Sequence, residues 1–497
     1  MNGKLIAALG GIACAGGALA AAQLAAIAVA PGSGPVAAVG AAVIDATPEP
    51  VKAWAIRTFG FHDKLVLLAG IGLALVAAAA AVGFLARRRI AVGYGALMLL
   101  GVAGAAAAIS RPAASAAWAL PPLAGAAFGA ALLFLLYRPS PATGAAPGRA
   151  VDRRGVLLAL AGAGLAGAAG WRFGGTGEIE QARRGLTLPE ADDIGPAGTG
   201  LDLDGLTPYL TPNPDFYRVD TALVLPRVLP EDYRLRIGGR VERPLELTYG
   251  DLLDRELLER EITLACVSNE VGGTLAGNAR WLGVSLADLL ADAGPEPGAD
   301  QVVSRSHDGW TAGTPTSACT GGRDALIAIG MNGEPLPLEH GFPVRMIVPG
   351  LYGYVSATKW LVELELSSFA DFDPYWVRRD WAAQAPIKTF SRIDTPKPLT
   401  TIAPGRTTVA GVAWAQHRGI DRVEVRVDEG PWADAELAPV IGPDTWRQWQ
   451  WAWDARPGRH KLEVRATDAE GDTQTRERAT PFPDGATGWH SVVVTAA

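Results

Sequence analysis

The chain has 497 residues, a formal charge of −7 and a pI near 5.5, so it has room for two or three domains and no basic footprint for a nucleic-acid partner. Its 49% hydrophobic content and positive mean hydropathy are high for a soluble protein, and the excess lies in the first third. Three cysteines, Cys14, Cys266 and Cys319, are too few and too scattered for a disulfide framework or a zinc cluster.

From the N-terminus, five apolar stretches lack charged residues: 5–30, 65–86, 90–110, 113–137 and 155–171. Roughly 20 such residues span a hydrocarbon core, so the first four are long enough and the fifth is marginal. We expect residues 1–173 to form a transmembrane region of about five helices. Basic residues favour the cytoplasmic side of short loops. Lys4, Arg87 to Arg89, and Arg138, Arg149, Arg153 and Arg154 all fall on one side if there are five spans, which leaves the rest of the chain outside the cytoplasm. Asp152-Arg153-Arg154-Gly155 also looks like a twin-arginine export signal, and a positive-inside anchor reads equally well. Between the first two spans, 31–64 reads as an outer loop, with 51–56 either a short interfacial piece or ordinary loop.

The composition of 174–205 shifts to Gly, Pro, Thr and acidic residues, an exposed connector, and a folded region is expected over 206–385. Alternation over Tyr233 to Ile237 predicts a strand. Tyr249 to Leu258 reads as a short helix, and so does Leu286 to Ala293 with Ser285 as its cap. Short strands mixed with short helices argue for α+β. Gly272-Gly273 lacks the rest of a dinucleotide fingerprint, which argues against NAD or flavin.

Between those helices, Thr263-Leu264-Ala265-Cys266-Val267-Ser268-Asn269 delivers one thiol followed by small polar residues. A cysteine among apolar residues is most often an inert core residue. Further on, His340-Gly341-Phe342-Pro343-Val344-Arg345 places an arginine in an apolar run, where its charge needs an anionic partner. Taken with Gly277-Asn278-Ala279-Arg280-Trp281, Asn332-Gly333-Glu334-Pro335 and Ser356-Ala357-Thr358-Lys359-Trp360, these segments resemble the molybdenum-binding domain of the sulfite oxidase family. The resemblance implies a molybdenum-molybdopterin cofactor (Moco), with Cys266 as the single protein thiolate on the metal. It also implies cofactor contacts from Tyr217, Arg218, Asn269, Arg280, His340, Arg345, Ser356, Thr358 and Lys359, and places Trp310 and Asp308 beside Cys266 at the catalytic centre. Cys319 is read as structural. The sequence departs from sulfite oxidases proper at Glu270 and Val271, where they are basic, and at Trp310, where they place a tyrosine. A carboxylate there repels an oxyanion, so sulfite is expected to be a poor substrate.

Past a Pro-containing connector, period-two alternation over Val423-Val425-Val427, Trp449-Trp451-Trp453 and Leu462-Val464-Ala466 predicts an antiparallel sandwich over 395–497 with the tryptophans in its core. This part resembles the immunoglobulin-like dimerisation domain of the same family and leaves a homodimer open. The functional expectation is a membrane-anchored, extracytoplasmic molybdopterin-dependent oxidoreductase doing two-electron oxygen-atom transfer on a small-molecule substrate. Its alternatives are a sulfoxide reductase of protein-repair type and a catalytically silent binding or sensory module. Without a haem-attachment or iron–sulfur cysteine set, the enzyme readings require an electron-transfer partner, a cytochrome or another redox carrier.

Overall fold

The structure is a computed structural model that describes residues 3–48, 51, 54–55, 58–59, 63–111, 114–137, 161 and 177–497. It divides into two compact units, Met1–Glu178 with Thr221–Arg227, and Ile179–Asp220 with Val228–Ala497.

In the first unit, helices α1 (Gly3–Val29), α2 (Pro35–Ala46), α3 (Asp63–Arg88), α4 (Ile90–Ile109) and α5 (Leu120–Leu136) follow one another. The spans Lys4–Val29, Leu65–Arg88, Ile90–Ile109 and Ala116–Leu136 are long and apolar enough to cross a membrane. The Ala- and Gly-rich composition has a packing reason: small residues let helix backbones touch. A methyl group on Gly11 would lie on the Ala79 carbonyl, and one on Gly83 on the Ala7 carbonyl. Tyr137 donates its hydroxyl to Gly83 O at 3.2 Å across this contact. The outward faces stay apolar, with Leu73 and Leu99 73% and 70% exposed. The expected outer loop contains α2, a 12-residue helix too short to span, whose Asp45 pairs with Arg111 at 2.7 Å. Positions 52, 53 and 56, the fifth apolar stretch apart from position 161, and Arg138, Arg149, Arg153 and Arg154 lie outside the described residues.

The second unit opens with a strap. The stretch expected to be an exposed connector contains α6 (Gly177–Gly185) and β1 (Asp193–Ile194), which lies parallel to the edge of β4 (Leu257–Ala265). Leu186, Leu188 and Ala191 pack on the core beneath, which is why this stretch is ordered along the sheet. Two sheets share that core. One runs β1-β4-β5-β8-β10 and the other β3-β2-β11-β6-β7, an α+β arrangement. Their members are β2 (Arg234–Gly239), β3 (Leu245–Thr248), β5 (Ala276–Ser285), β6 (Gln301–Ser306), β7 (Thr311–Pro315), β8 (Leu326–Met331), β10 (Arg345–Ile347) and β11 (Leu361–Ser367), with β9 (Glu334–Pro335) beside β8. Helix α7 is confined to Tyr249–Leu253, shorter than expected, because Leu257 and Leu258 pair with Val284 and Gly283 as the start of β4. Helix α8 (Leu286–Ala293) is capped as expected by the Ser285 hydroxyl, which accepts from Asp288 N at 3.2 Å.

Beyond it, a sandwich packs β12-β14-β18-β17 on β13-β20-β19-β15-β16. Its strands are β12 (Phe390–Thr395), β13 (Thr401–Ile402), β14 (Gly405–Trp414), β15 (Ile420–Val427), β16 (Ala433–Asp434), β17 (Glu436–Leu437), β18 (Arg447–Ala455), β19 (Gly458–Asp468) and β20 (His490–Ala496). The sandwich begins at Phe390, inside the stretch read as connector. Trp449 and Trp453 lie in its core with Val423, Val425, Leu462 and Val464, while Trp451 packs at its margin.

Candidate functional site

Strand β4 is paired with β5 along its whole length, from Leu257 opposite Val284 to Ala265 opposite Ala276. Its last turn-free residues, Ile262 to Ala265, are buried, so the strand delivers Cys266 into the interior at its C-terminal end. A tight loop follows. Cys266 N donates to Leu275 O at 2.9 Å, Asn269 N to Cys266 O at 3.0 Å, and Gly273 N to Glu270 O at 2.8 Å. The Asn269 side chain accepts from Leu275 N at 2.9 Å, which makes Asn269 the peg that closes the loop around the thiol. Burial raises the Cys266 pKa, and Lys359 opposes that rise.

Three cations gather near this loop. Arg345, in β10 opposite Ala328 of β8, is 3% exposed and lies over the Trp281 ring at 5.0 Å. It donates to His340 O at 3.0 Å and weakly to Ala357 O at 3.4 Å, and its Nε is buried without a partner. Among the described residues no carboxylate lies within ion-pair distance of it, and burial brings its pKa down to about 10. Lys359 donates to Glu339 O at 2.9 Å and pairs with Asp220 at 3.1 Å; burial outweighs that partner and brings it down to about 8. Arg218 joins the same Asp220 at 2.9 Å with its side chain 39% exposed.

His340 sits among them, its Nε2 3.1 Å from Asn213 O and its Nδ1 buried without a partner. Burial, with Lys359 and Arg345, brings its pKa down to about 3, so it is neutral and donates through Nε2. Phe216 sets an edge against both His340 and Trp281 and stacks on Tyr217 at 5.2 Å. Burial raises the Tyr217 phenol, and its charge state is coupled to Cys266 and Arg345. A methyl group on Gly353, at the start of α9 (Gly353–Ser356), would lie 3.7 Å from both Tyr217 Oη and Ala265 O. Tyr217 and the end of β4 thus converge.

Other expected site residues have different surroundings. Ser356 donates to Leu351 O and Tyr352 O at 2.9 and 3.0 Å, and Thr358 shares a 2.6 Å hydrogen bond with Ser304. Both hydroxyls are buried and bonded within the protein. Arg280 is directed to Glu261 at 3.1 Å and Glu259 at 3.6 Å, because β-pairing sets it opposite Glu261, five residues before Cys266. Asp308 and Trp310 occupy the β6–β7 turn, where Asp308 Oδ1 accepts from Trp310 N at 3.1 Å. Burial raises Asp308, and Asp220 adds to the rise. Asp220, Asn213 and Trp281 are site neighbours that sequence reasoning passed over. Asp220 left a local signal, as a carboxylate two residues after Arg218, and Trp281 stood in the motif beside Arg280.

The donor set fits a pterin-bound metal. A buried guanidinium with an unpartnered Nε, next to Lys359 and Arg218, is a place for a phosphate or another oxyanion. Among the described residues no group of three or more His, Cys, Asp or Glu is placed to hold a metal ion, so a metal on Cys266 would take its other donors from the cofactor.

The fold and this site define a molybdopterin-binding oxidoreductase domain. Residues 222–376 match the family model described as the oxidoreductase molybdopterin binding domain, and 390–464 match a bacterial Ig domain. An uncharacterized oxidoreductase of Bacillus subtilis, YuiH, is 31% identical over 149 residues, 30% of this chain and 72% of that protein. Mitochondrial sulfite oxidase of Rattus norvegicus is 31% identical over 288 residues, 49% of this chain and 52% of that one. Sulfite oxidase of Gallus gallus is 32% identical over 294 residues, covering 50% and 62%. The chain spans about half the length of the mitochondrial relatives it matches. The sulfane dehydrogenase SoxCD from Paracoccus pantotrophus shares the fold, with a TM-score of 0.52 and 23% identity over 60% of this chain and 85% of that one. The chain belongs to the sulfite oxidase family.

Proposed function

We propose that the protein is a membrane-anchored, extracytoplasmic oxidoreductase that holds molybdenum-molybdopterin on Cys266 and passes electrons to or from a separate redox carrier. The observation that carries this reading is the buried Arg345, short of an anion and grouped with Lys359 and His340 beside a buried thiol. When bound, the cofactor supplies two-electron oxygen-atom transfer. Cys266 would hold the metal as its soft thiolate ligand, its proton released to solvent on binding. Arg345 and Lys359 would neutralise the cofactor's phosphate, neutral His340, its Nε2–H already given to Asn213 O, would accept a hydrogen bond at Nδ1, and Tyr217 would shield the thiolate from water. Asn269 keeps the loop closed, so the thiolate stays in one place through turnover.

The deciding experiment is elemental analysis of the protein purified from molybdate-replete cells. About one molybdenum per chain is expected; protein free of both metal and pterin overturns the reading. For the substrate, Glu270 is exposed on the loop after Cys266, where it opposes the approach of an oxyanion. Sulfite is therefore expected to turn over poorly beside sulfoxides and N-oxides assayed with an artificial donor, and efficient sulfite oxidation at micromolar concentration would reverse that assignment.

A further inference from the structure

The C-terminal sandwich reaches the loop that carries the thiol. Arg392, in β12, is 5% exposed and faces away from its own sheet's core. Its guanidinium donates to Gly273 O at 2.7 Å, to Thr207 Oγ1 at 2.9 Å and to Asp394 Oδ1 at 2.6 Å. Asp394 in turn accepts from Thr207 N at 3.2 Å. Beside it, the His490 ring of β20 lies against Gly272, and its Nδ1 accepts from Ile393 N at 3.0 Å. Gly272 has φ +81°, and a methyl group there would collide with that ring. Gly273 is equally constrained from inside the loop, since a methyl group on it would lie 2.6 Å from Asn269 Oδ1.

A chain of contacts therefore runs Arg392, Gly273, Asn269, Cys266, with each step a hydrogen bond or a close approach. We propose that Arg392 is a positioning residue: through Gly273 it fixes the Cys266 loop, so the sandwich braces the reactive centre as well as extending the molecule. The proposal rests on the reading that the Cys266 loop is the reactive centre. An arginine is suited to this because one planar group reaches three acceptors on three chain segments at once. A hydrogen bond from a charged donor to a buried carbonyl is among the stronger single contacts in a protein, so its loss opens the loop on the order of tenfold or more often.

The test reads the thiol and does not need the metal. The full chain is prepared from molybdate-starved cells, treated with iodoacetamide under native conditions, and the labelling rates of Cys266 and Cys319 are followed by peptide mass spectrometry. The variant is Arg392→Met with Asp394→Asn, so that no buried carboxylate loses its cation. Cys266 is expected to label about tenfold faster than in the wild type, with Cys319 unchanged. The control is Gln448→Leu, which removes contacts to Leu201 N and Thr207 O at the same interface and leaves Gly273 alone; its Cys266 rate is expected to stay within about twofold of wild type. An unchanged Cys266 rate in the double variant overturns the proposal, and so does an equal increase in the Gln448 variant, which would mean general loosening. Should the double variant not fold, Arg392→Lys keeps the cation beside Asp394 and loses the three-way reach; there a severalfold rise is expected and an unchanged rate again overturns the proposal. Because the readout is a free thiol, the brace stands or falls independently of whether the protein binds molybdenum.

Discussion

Lys359 is charged in a place that does not favour charge, and the consequence can be read in pH. Burial puts its folded pKa at about 8, below the 10.5 ordinary for a lysine and expected when the chain is unfolded. Between those two values the unfolded chain binds a proton that the folded one has released, so stability rises with pH across that window. Below about pH 8 both states are protonated and the burial penalty is complete. Thermal unfolding of cofactor-free protein should therefore shift in favour of wild type over Lys359→Met as pH climbs from about 8 to about 10, and a pH-independent difference would contradict the buried-cation assignment. At the thiol, Cys266→Ser replaces a soft donor with a hydroxyl of similar size. The variant should fold, with an unfolding free energy within about 1 kcal/mol of wild type, and lose redox turnover; turnover at the wild-type rate would remove Cys266 from the reaction.

Among the elements, β5 has the least room for change, because it is flanked by β4 and β8 and its register with β8 shifts between Leu282 and Gly283. A methyl group at Gly283 would lie on the Ile327 carbonyl oxygen and 2.7 Å from Ala328 Cα, both backbone atoms of β8. Since β8 also pairs with β10, Gly283→Ala should push Arg345 with it. We expect a loss of about 2–3 kcal/mol in denaturant unfolding together with a lower molybdenum-to-protein ratio. A stable variant with normal metal content would show that the sheet absorbs the methyl group. The sequence made the local features of this architecture readable: the Ser285 cap and the apolar stripe of Leu286–Ala293, the alternation of β2, and the inward tryptophans of β18. It did not reveal where α7 stops, because Leu257 and Leu258 suit a helix as well as a strand and only pairing with β5 decides. In the site, Arg345 was marked by its apolar surroundings, whereas Cys266, which such surroundings alone would make an inert core thiol, was singled out by the resemblance of the motifs around it. Asp220 meets Lys359 across 139 positions of chain, and Arg280 turns to Glu261 by strand pairing, neither of which local sequence can show.

At the scale of the whole molecule, the side of the membrane on which the oxidoreductase domain sits is a question of parity. The helices Lys4–Val29, Leu65–Arg88, Ile90–Ile109 and Ala116–Leu136, if each crosses, return the chain to the side on which it began. Arg87 and Arg88 close α3, and Arg89 precedes α4, a basic turn that belongs on the cytoplasmic side. Lys4 at the start of α1, and Arg138, Arg149, Arg153 and Arg154 after α5, then fall on the same side. Everything beyond is extracytoplasmic only if 155–171 makes a further crossing, which its freedom from charge permits and its length makes marginal. Reporters fused after Ala497 should therefore be active for an enzyme that folds only outside the cytoplasm and dark for one that fluoresces only inside. Deleting 155–171 should exchange the two signals, since one fewer crossing inverts the domain. A cytoplasmic-type signal from the undeleted chain would reject the five-crossing arrangement, and with it the assignment of an extracytoplasmic electron carrier as the partner.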